Sequence, residues 1–162
     1  MELNFKAPWG RELRLMTILA MVVCFGAMWI GIQLPSAHPW AKYSAIAIPS
    51  AILLGGAGFM VRSYTLRNGT LLIHRLGWST RLELASLRSA EFDPNAIAGS
   101  IRLFGNGGLF SFSGWFRNQK LGKYRAFGTD LKRCVVLKFP SQTVVITPEN
   151  PEKFVERIKE LK

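Results

Sequence analysis

Two stretches without a single charge constrain this chain more than anything else in it. They are Leu15–Leu34, LMTILAMVVCFGAMWIGIQL, and Tyr43–Val61, YSAIAIPSAILLGGAGFMV. A helix needs about 20 apolar residues to cross a bilayer core, and each stretch has that length. Core helices of soluble domains rarely run so far without a polar face. A cleaved signal peptide fits the first stretch poorly. Its apolar run exceeds a usual h-region, and no small-residue cleavage site closes it. The sequence therefore predicts a transmembrane helical hairpin over 15–61, with spans at 15–34 and 43–61.

The basic residues orient the hairpin. Lys6, Arg11 and Arg14 precede the first span, Arg62, Arg67, Arg75 and Arg81 follow the second, and the loop between holds only Lys42. The positive-inside rule then puts both termini in the cytoplasm. The expected localisation is a bacterial cytoplasmic (inner) membrane, multi-pass. Residues 1–14 read as a cytoplasmic lead and 62–162 as a cytoplasmic domain. The narrow junction near Arg62–Tyr64, without a Gly/Ser linker, predicts a domain held close to the bilayer. Ala20, Cys24, Ala27 and Gly31 share one helical face, as do Ala47, Ala51, Gly55 and Gly58. Small residues let helices approach closely in lipid, so these stripes are the expected contact between the two spans, with contact to another membrane subunit as the alternative.

The formal charge is +11, and 17 Lys and Arg against 8 Asp and Glu fall in residues 62–162. A basic domain beside the inner leaflet faces anionic lipid, and each nearby cation gains on the order of 1 kcal/mol. Nucleic acid is the other usual partner of such a domain. The membrane tether makes lipid the more economical explanation, and no nucleic acid is expected. Cys24 lies in a span and Cys134 in the domain, so no disulfide is expected between them.

Beyond Val61 the pattern changes to period two. SYTLRNGTLLIHRLGWSTRLEL reads as strand, turn, strand, turn, strand, with Asn68-Gly69 as a type I′ hairpin turn. Leu71, Ile73 and Arg75 share one strand face, Leu72 and His74 the other. RCVVLKF and TVVIT are further strands. NPEKFVERIKELK is a helix, with Asn150 and Pro151 at its start and Phe154, Val155, Ile158 and Leu161 in its apolar stripe. The fold class is a two-helix transmembrane hairpin followed by a mainly-β barrel or bent sheet that the C-terminal helix caps.

The long stretch GNGGLFSFSGWFRNQKLGKYRAFGTD, Gly105–Asp130, supplies neither a nucleotide fingerprint nor a P-loop. Phe110 stands where the third glycine would be, and no helix follows. His38 and His74 are separated, and no catalytic grouping of Ser, His, Asp or Cys is visible. The expectation is no enzyme, no cofactor and no metal. What remains is aromatics among cations. Arg102, Trp115, Phe116, Arg117, Lys120 and Lys123 form the candidate partner or lipid surface. Such aromatics are core by default. Beside a membrane they also suit the headgroup layer or a groove for a partner peptide. A protein partner is the first expectation and anionic lipid the alternative. A homo-oligomer is compatible with both.

YTLRNGTLLIHR, the glycine-aromatic stretch just quoted and the ending VVLKFPSQTVVITPENPEKFVERI resemble the bacterial pleckstrin-homology (PH) domains of small membrane proteins, over about Tyr64–Leu161. The resemblance implies a PH-like barrel capped by the last helix, and it implies no activity. Eukaryotic PH domains that grip phosphoinositides place basic residues around a roomy loop between their first two strands. Here that connection is the tight Asn68-Gly69 turn, so no lipid-binding residues carry over.

Overall fold

The computed structural model describes residues 2–33 and 39–160. A strand, β1 (Glu2–Lys6), leads into two helices, α1 (Arg11–Gln33) and α2 (Pro39–Gly58). Nine strands follow: β2 (Val61–Arg67), β3 (Thr70–Arg75), β4 (Ser79–Glu83), β5 (Ser89–Phe92), β6 (Ile101–Gly107), β7 (Phe112–Asn118), β8 (Gly122–Gly128), β9 (Val135–Lys138) and β10 (Thr143–Ile146). The last described element is α3 (Pro151–Glu160).

Among the described residues only α1 is long and apolar enough to cross a membrane. Of the two expected spans, one corresponds to a helix of that length and composition. Lys42, Ser44 and Ser50 dilute the apolar character of α2, and Val61, assigned above to the second span, begins β2 instead. Leu34 and most of the predicted external loop, Pro35–His38, lie outside the described residues.

The two helices pack on each other. On α1, Leu13, Thr17, Cys24 and Gly31 are buried, in line with the expected stripe. A methyl group on Gly31 would come within 2.7 Å of the Ala45 side chain, so the backbones are close there. The stripe expected on α2 is not the one used, since Ala47, Ala51 and Gly55 are exposed. Pro49 is buried, with Ala45, Ile46, Ser50 and Leu53 half-buried around it. The physical reason is polar: a helical proline leaves the carbonyl four residues earlier without its donor, and turning that side toward the partner helix shelters it. The Ser50 hydroxyl, on the same side, donates to the Ile46 carbonyl at 2.8 Å.

The strands form two sheets, ordered β1-β2-β3-β4 and β5-β9-β10-β8-β7-β6. All pairs are antiparallel except β10 with β8, which is parallel. The β2–β3 turn has φ of 46° at Asn68 and 71° at Gly69, the left-handed pair that a type I′ turn requires. Period two then holds on β3, where Leu71 and Ile73 are fully buried. His74 lies on the other face, its ring nitrogens bonded to the hydroxyls of Thr65 at 3.0 Å and Ser79 at 2.8 Å.

The main core lies between the sheets, with Tyr64, Leu66, Leu71 and Ile73 facing Phe127, Val135, Leu137, Val144 and Ile146. Phe154, Val155 and Ile158 of α3 close it, as the apolar stripe predicted. Leu161 lies outside the described residues. Burying each large side chain contributes roughly 1.5–3 kcal/mol. A second cluster, including Phe116, Tyr124, Val136 and Val145, covers the opposite face of the larger sheet.

The N-terminal lead, expected only as a short polar segment, holds a strand. β1 pairs along its length with β2, from Glu2 opposite Arg67 to Lys6 opposite Ser63. Phe5 reaches the main core and meets Phe154 edge-on at 5.0 Å. The helical pair is therefore inserted between two neighbouring strands of one sheet.

A candidate interaction site at the foot of the helices

The glycine-aromatic stretch is a β-meander. β6, β7 and β8 pair in succession, and the β6–β7 turn points at the helices. Its geometry begins with a close crossing. Gly105 and Gly114 face each other with φ of 111° and 148°, and a side chain on either would overlap the opposing backbone. Asn106 then organises the turn: its side-chain oxygen accepts from the amides of Gly108 at 3.3 Å and Leu109 at 3.0 Å, and its NH2 donates to the Leu109 carbonyl.

The tip is fixed to both helices. The buried Thr17 hydroxyl donates to the Gly108 carbonyl at 3.1 Å and accepts from the Phe110 amide at 3.1 Å. Leu109 lies so close to Gly56 of α2 that a methyl group there would come within 2.5 Å of it. The Ser111 hydroxyl donates to the Phe59 carbonyl at 3.0 Å. Phe110, a non-glycine residue at φ 63°, is held in that conformation by these contacts.

From this anchor the predicted surface residues separate. Phe116 is buried in the second cluster, stacked on Tyr124 at 5.9 Å, so it is not surface. Period two explains this: Phe116 shares a face with Phe112 and Asn118, while Trp115 and Arg117 look the other way. Trp115 is half-buried under the Lys123 ammonium, 4.7 Å from its ring centre. Arg102, Arg117, Lys120 and Lys123 are exposed. Lys120 forms an ion pair with Asp93, and that hydrogen bond holds the Asp93 carboxyl below its usual range. The six residues are thus not one patch. Arg102, Trp115, Arg117 and Lys123 lie along the meander, Lys120 is paired at its far turn, and Phe116 is core.

The large apolar side chains exposed on the meander are not among the six. β6 is an edge strand, and Ile101, Leu103 and Phe104 are 71%, 52% and 77% exposed. A bulge between Arg102 and Phe104 breaks the alternation that would have hidden one face. Sequence reasoning also passed over Arg125, half-buried on β8 with its guanidinium 4.8 Å from the Phe127 ring centre. Counting by two from the buried Phe127 places Arg125 on the inward face, and that signal was available.

Residues 62–162 match the bacterial PH domain family, and the chain belongs to it. The match begins at β2, so β1 and the helices lie outside it. No curated protein and no solved structure matches the chain.

Proposed function

We propose that this protein is a multi-pass protein of a bacterial cytoplasmic membrane, with both termini cytoplasmic, and that its PH-like domain is a non-enzymatic module for docking a protein partner. The observation that carries the docking reading is the unpaired outer edge of β6, with Ile101, Leu103 and Phe104 exposed beside Arg102. Soluble surfaces seldom leave a long apolar edge strand open, because it pairs with any suitable chain. Strand addition to this edge gives a partner main-chain hydrogen bonds, and the side chains give it selectivity. Ile101 lies six residues from Gly107, about 20 Å along the strand from the helices, which favours a protein over lipid at that end.

The membrane reading rests on α1, which exposes Leu15, Ile18, Leu19, Val22, Val23, Phe25, Trp29 and Ile30. Lipid is the solvent in which such a surface is stable. The adjacency of β1 and β2 supports two crossings, since a chain that leaves and rejoins one sheet crosses an even number of times. A His38→Cys variant labelled by an impermeant thiol reagent from outside intact cells tests the topology. Labelling only after lysis overturns it.

To test docking, the full-length chain is cross-linked in cells and recovered in mild detergent beside a Leu103→Glu, Phe104→Glu variant. The expected outcome is a partner band that the variant loses. Equal recovery by both proteins counts against the β6 edge. Anionic lipid is the second reading, favoured by Phe104 sharing a cleft with Ile52 of α2. Salt-sensitive binding of a partner-free preparation to anionic but not neutral bilayers supports it.

A further inference from the structure

Arg75 ends β3 on the inward face, in register with Leu71 and Ile73, and is only 9% exposed. Its Nε is buried and has no hydrogen-bond partner. The ion pairs among the described residues do not include it, nor Arg125. Instead it is boxed by rings, its guanidinium carbon 5.6 Å from the centre of Phe59, 5.4 Å from Trp78 and 4.9 Å from Phe127. The Arg125 guanidinium approaches the same Phe127 ring at 4.8 Å and Trp115 at 6.0 Å. Burial, with Arg125 as a like charge, pushes the Arg75 guanidinium down from its ordinary value.

Two arginines on one ring without a carboxylate are an unfavourable arrangement in isolation. Desolvating an unpaired cation is costly, and cation–π contacts return only part of that cost. Both arginines line one cleft of about 460 Å³, and no Asp or Glu lines it among the described residues. Asn106 and Ser113 also line it, and its wall on the α2 side is apolar, with Ile52 and Gly55 of α2 and Phe59 just beyond it. Guanidinium forks match the oxygens of phosphate, and a second cation close by adds to the attraction.

We propose that Arg75 and Arg125 bind a phosphate group in this cleft, and that the apolar wall of α2 receives the acyl part of a phospholipid that carries it. The cleft adjoins the β6 edge, whose Phe104 lines its rim, and the proposal rests on the membrane reading of α2; it differs from a generic basic surface in being a cleft defined by two residues.

The test uses the full-length chain in a neutral detergent, with phosphatidylglycerol, phosphatidylcholine or inorganic phosphate added separately. Binding is read by native mass spectrometry and by thermal shift. Phosphatidylglycerol is expected to remain bound and to raise Tm by several degrees. R125Q is expected to weaken that binding at least tenfold. In the absence of ligand R125Q should be no less stable than the parent, because it removes a like charge from beside Arg75. K132Q loses the same charge at an exposed site outside the cleft and should bind as the parent does. Stabilisation by inorganic phosphate alone keeps the oxyanion site and makes its ligand soluble. Absence of any shift with all three additives overturns the proposal. So does unchanged binding by R125Q, equal loss in K132Q, or phosphatidylcholine binding that ignores R125Q.

Discussion

The hydroxyl of Thr17 and the backbone of Gly108 meet at 3.1 Å across 91 residues of sequence. The bond joins the foot of the first helix to the tip of the β6–β7 hairpin, and the Phe110 amide completes it from the other side. The domain is thus clamped to its helices at a second place, remote from the β1–β2 pairing.

Thr17→Val removes both partners from a buried donor and acceptor. Leaving such groups unsatisfied costs about 1–3 kcal/mol each, so a clear drop in Tm of the purified protein is expected. Thr17→Ser keeps the hydroxyl and should stay near the parent. Equal Tm values for the Val variant and the parent would remove the clamp.

Gly56 makes room for Leu109. Gly56→Val overpacks that contact and is expected to destabilise by about 1–3 kcal/mol. Adding Leu109→Ala to it should recover part of the loss, with a coupling of about 0.5–3 kcal/mol between the two changes. Denaturant melts of the four proteins measure it. Strict additivity means the residues do not touch.

Tyr64 sets an alkaline limit. Its hydroxyl donates to the Phe127 carbonyl at 2.6 Å and accepts from the Thr147 amide at 3.2 Å. Burial pushes its pKa up to about 12, from 10.0. The folded protein therefore keeps a proton that the unfolded chain releases first. This contribution is complete below pH 10 and is lost as pH rises toward 12, by roughly 1.4 kcal/mol per pH unit. Burial raises the Cys134 thiol to about 12 as well, from 9.0, and so adds a loss of the same sign from pH 9. Stability measured from pH 8 to 11 should fall, and the Y64F, C134A double variant should flatten that slope while starting lower.

Two phenylalanines on neighbouring strands should behave oppositely. Phe116→Ala empties part of the second cluster and is expected to cost about 3–5 kcal/mol. Phe104→Ser lies on the exposed edge and should change stability by no more than about 0.5 kcal/mol. Only the second should lose the cross-linked partner while keeping its Tm. Loss of stability in F104S would show that the edge strand is covered within the chain itself.

Features carried by local chemistry were legible in the sequence. The Asn68-Gly69 turn, the inward row Leu71, Ile73 and Arg75, and the helix from Pro151 each follow from a few adjacent residues. Features created by distant partners were not. Glu2–Lys6 has one buried side chain, Phe5, and becomes a strand only because β2 lies beside it. The parallel pairing of β10 with β8 is equally non-local. Phe104 and Phe116 sit in similar basic-aromatic surroundings, and a bulge plus a second cluster decide that one is outside and the other inside. At the candidate site the sequence shows which basic and aromatic types are present, while strand register, which it does not show, turns Phe116 inward and Arg125 into the cleft.

The pairing of β1 with β2 also has a consequence for biosynthesis. β1 leaves the ribosome before both helices, and its partner strand follows only after them. Phe5 has no core to enter until then. The sheet can close only when α1 and α2 have formed and folded back, so its closure marks a correctly assembled helical pair. A chain stalled before that point leaves β1 without its partner strand and Phe5 outside the core.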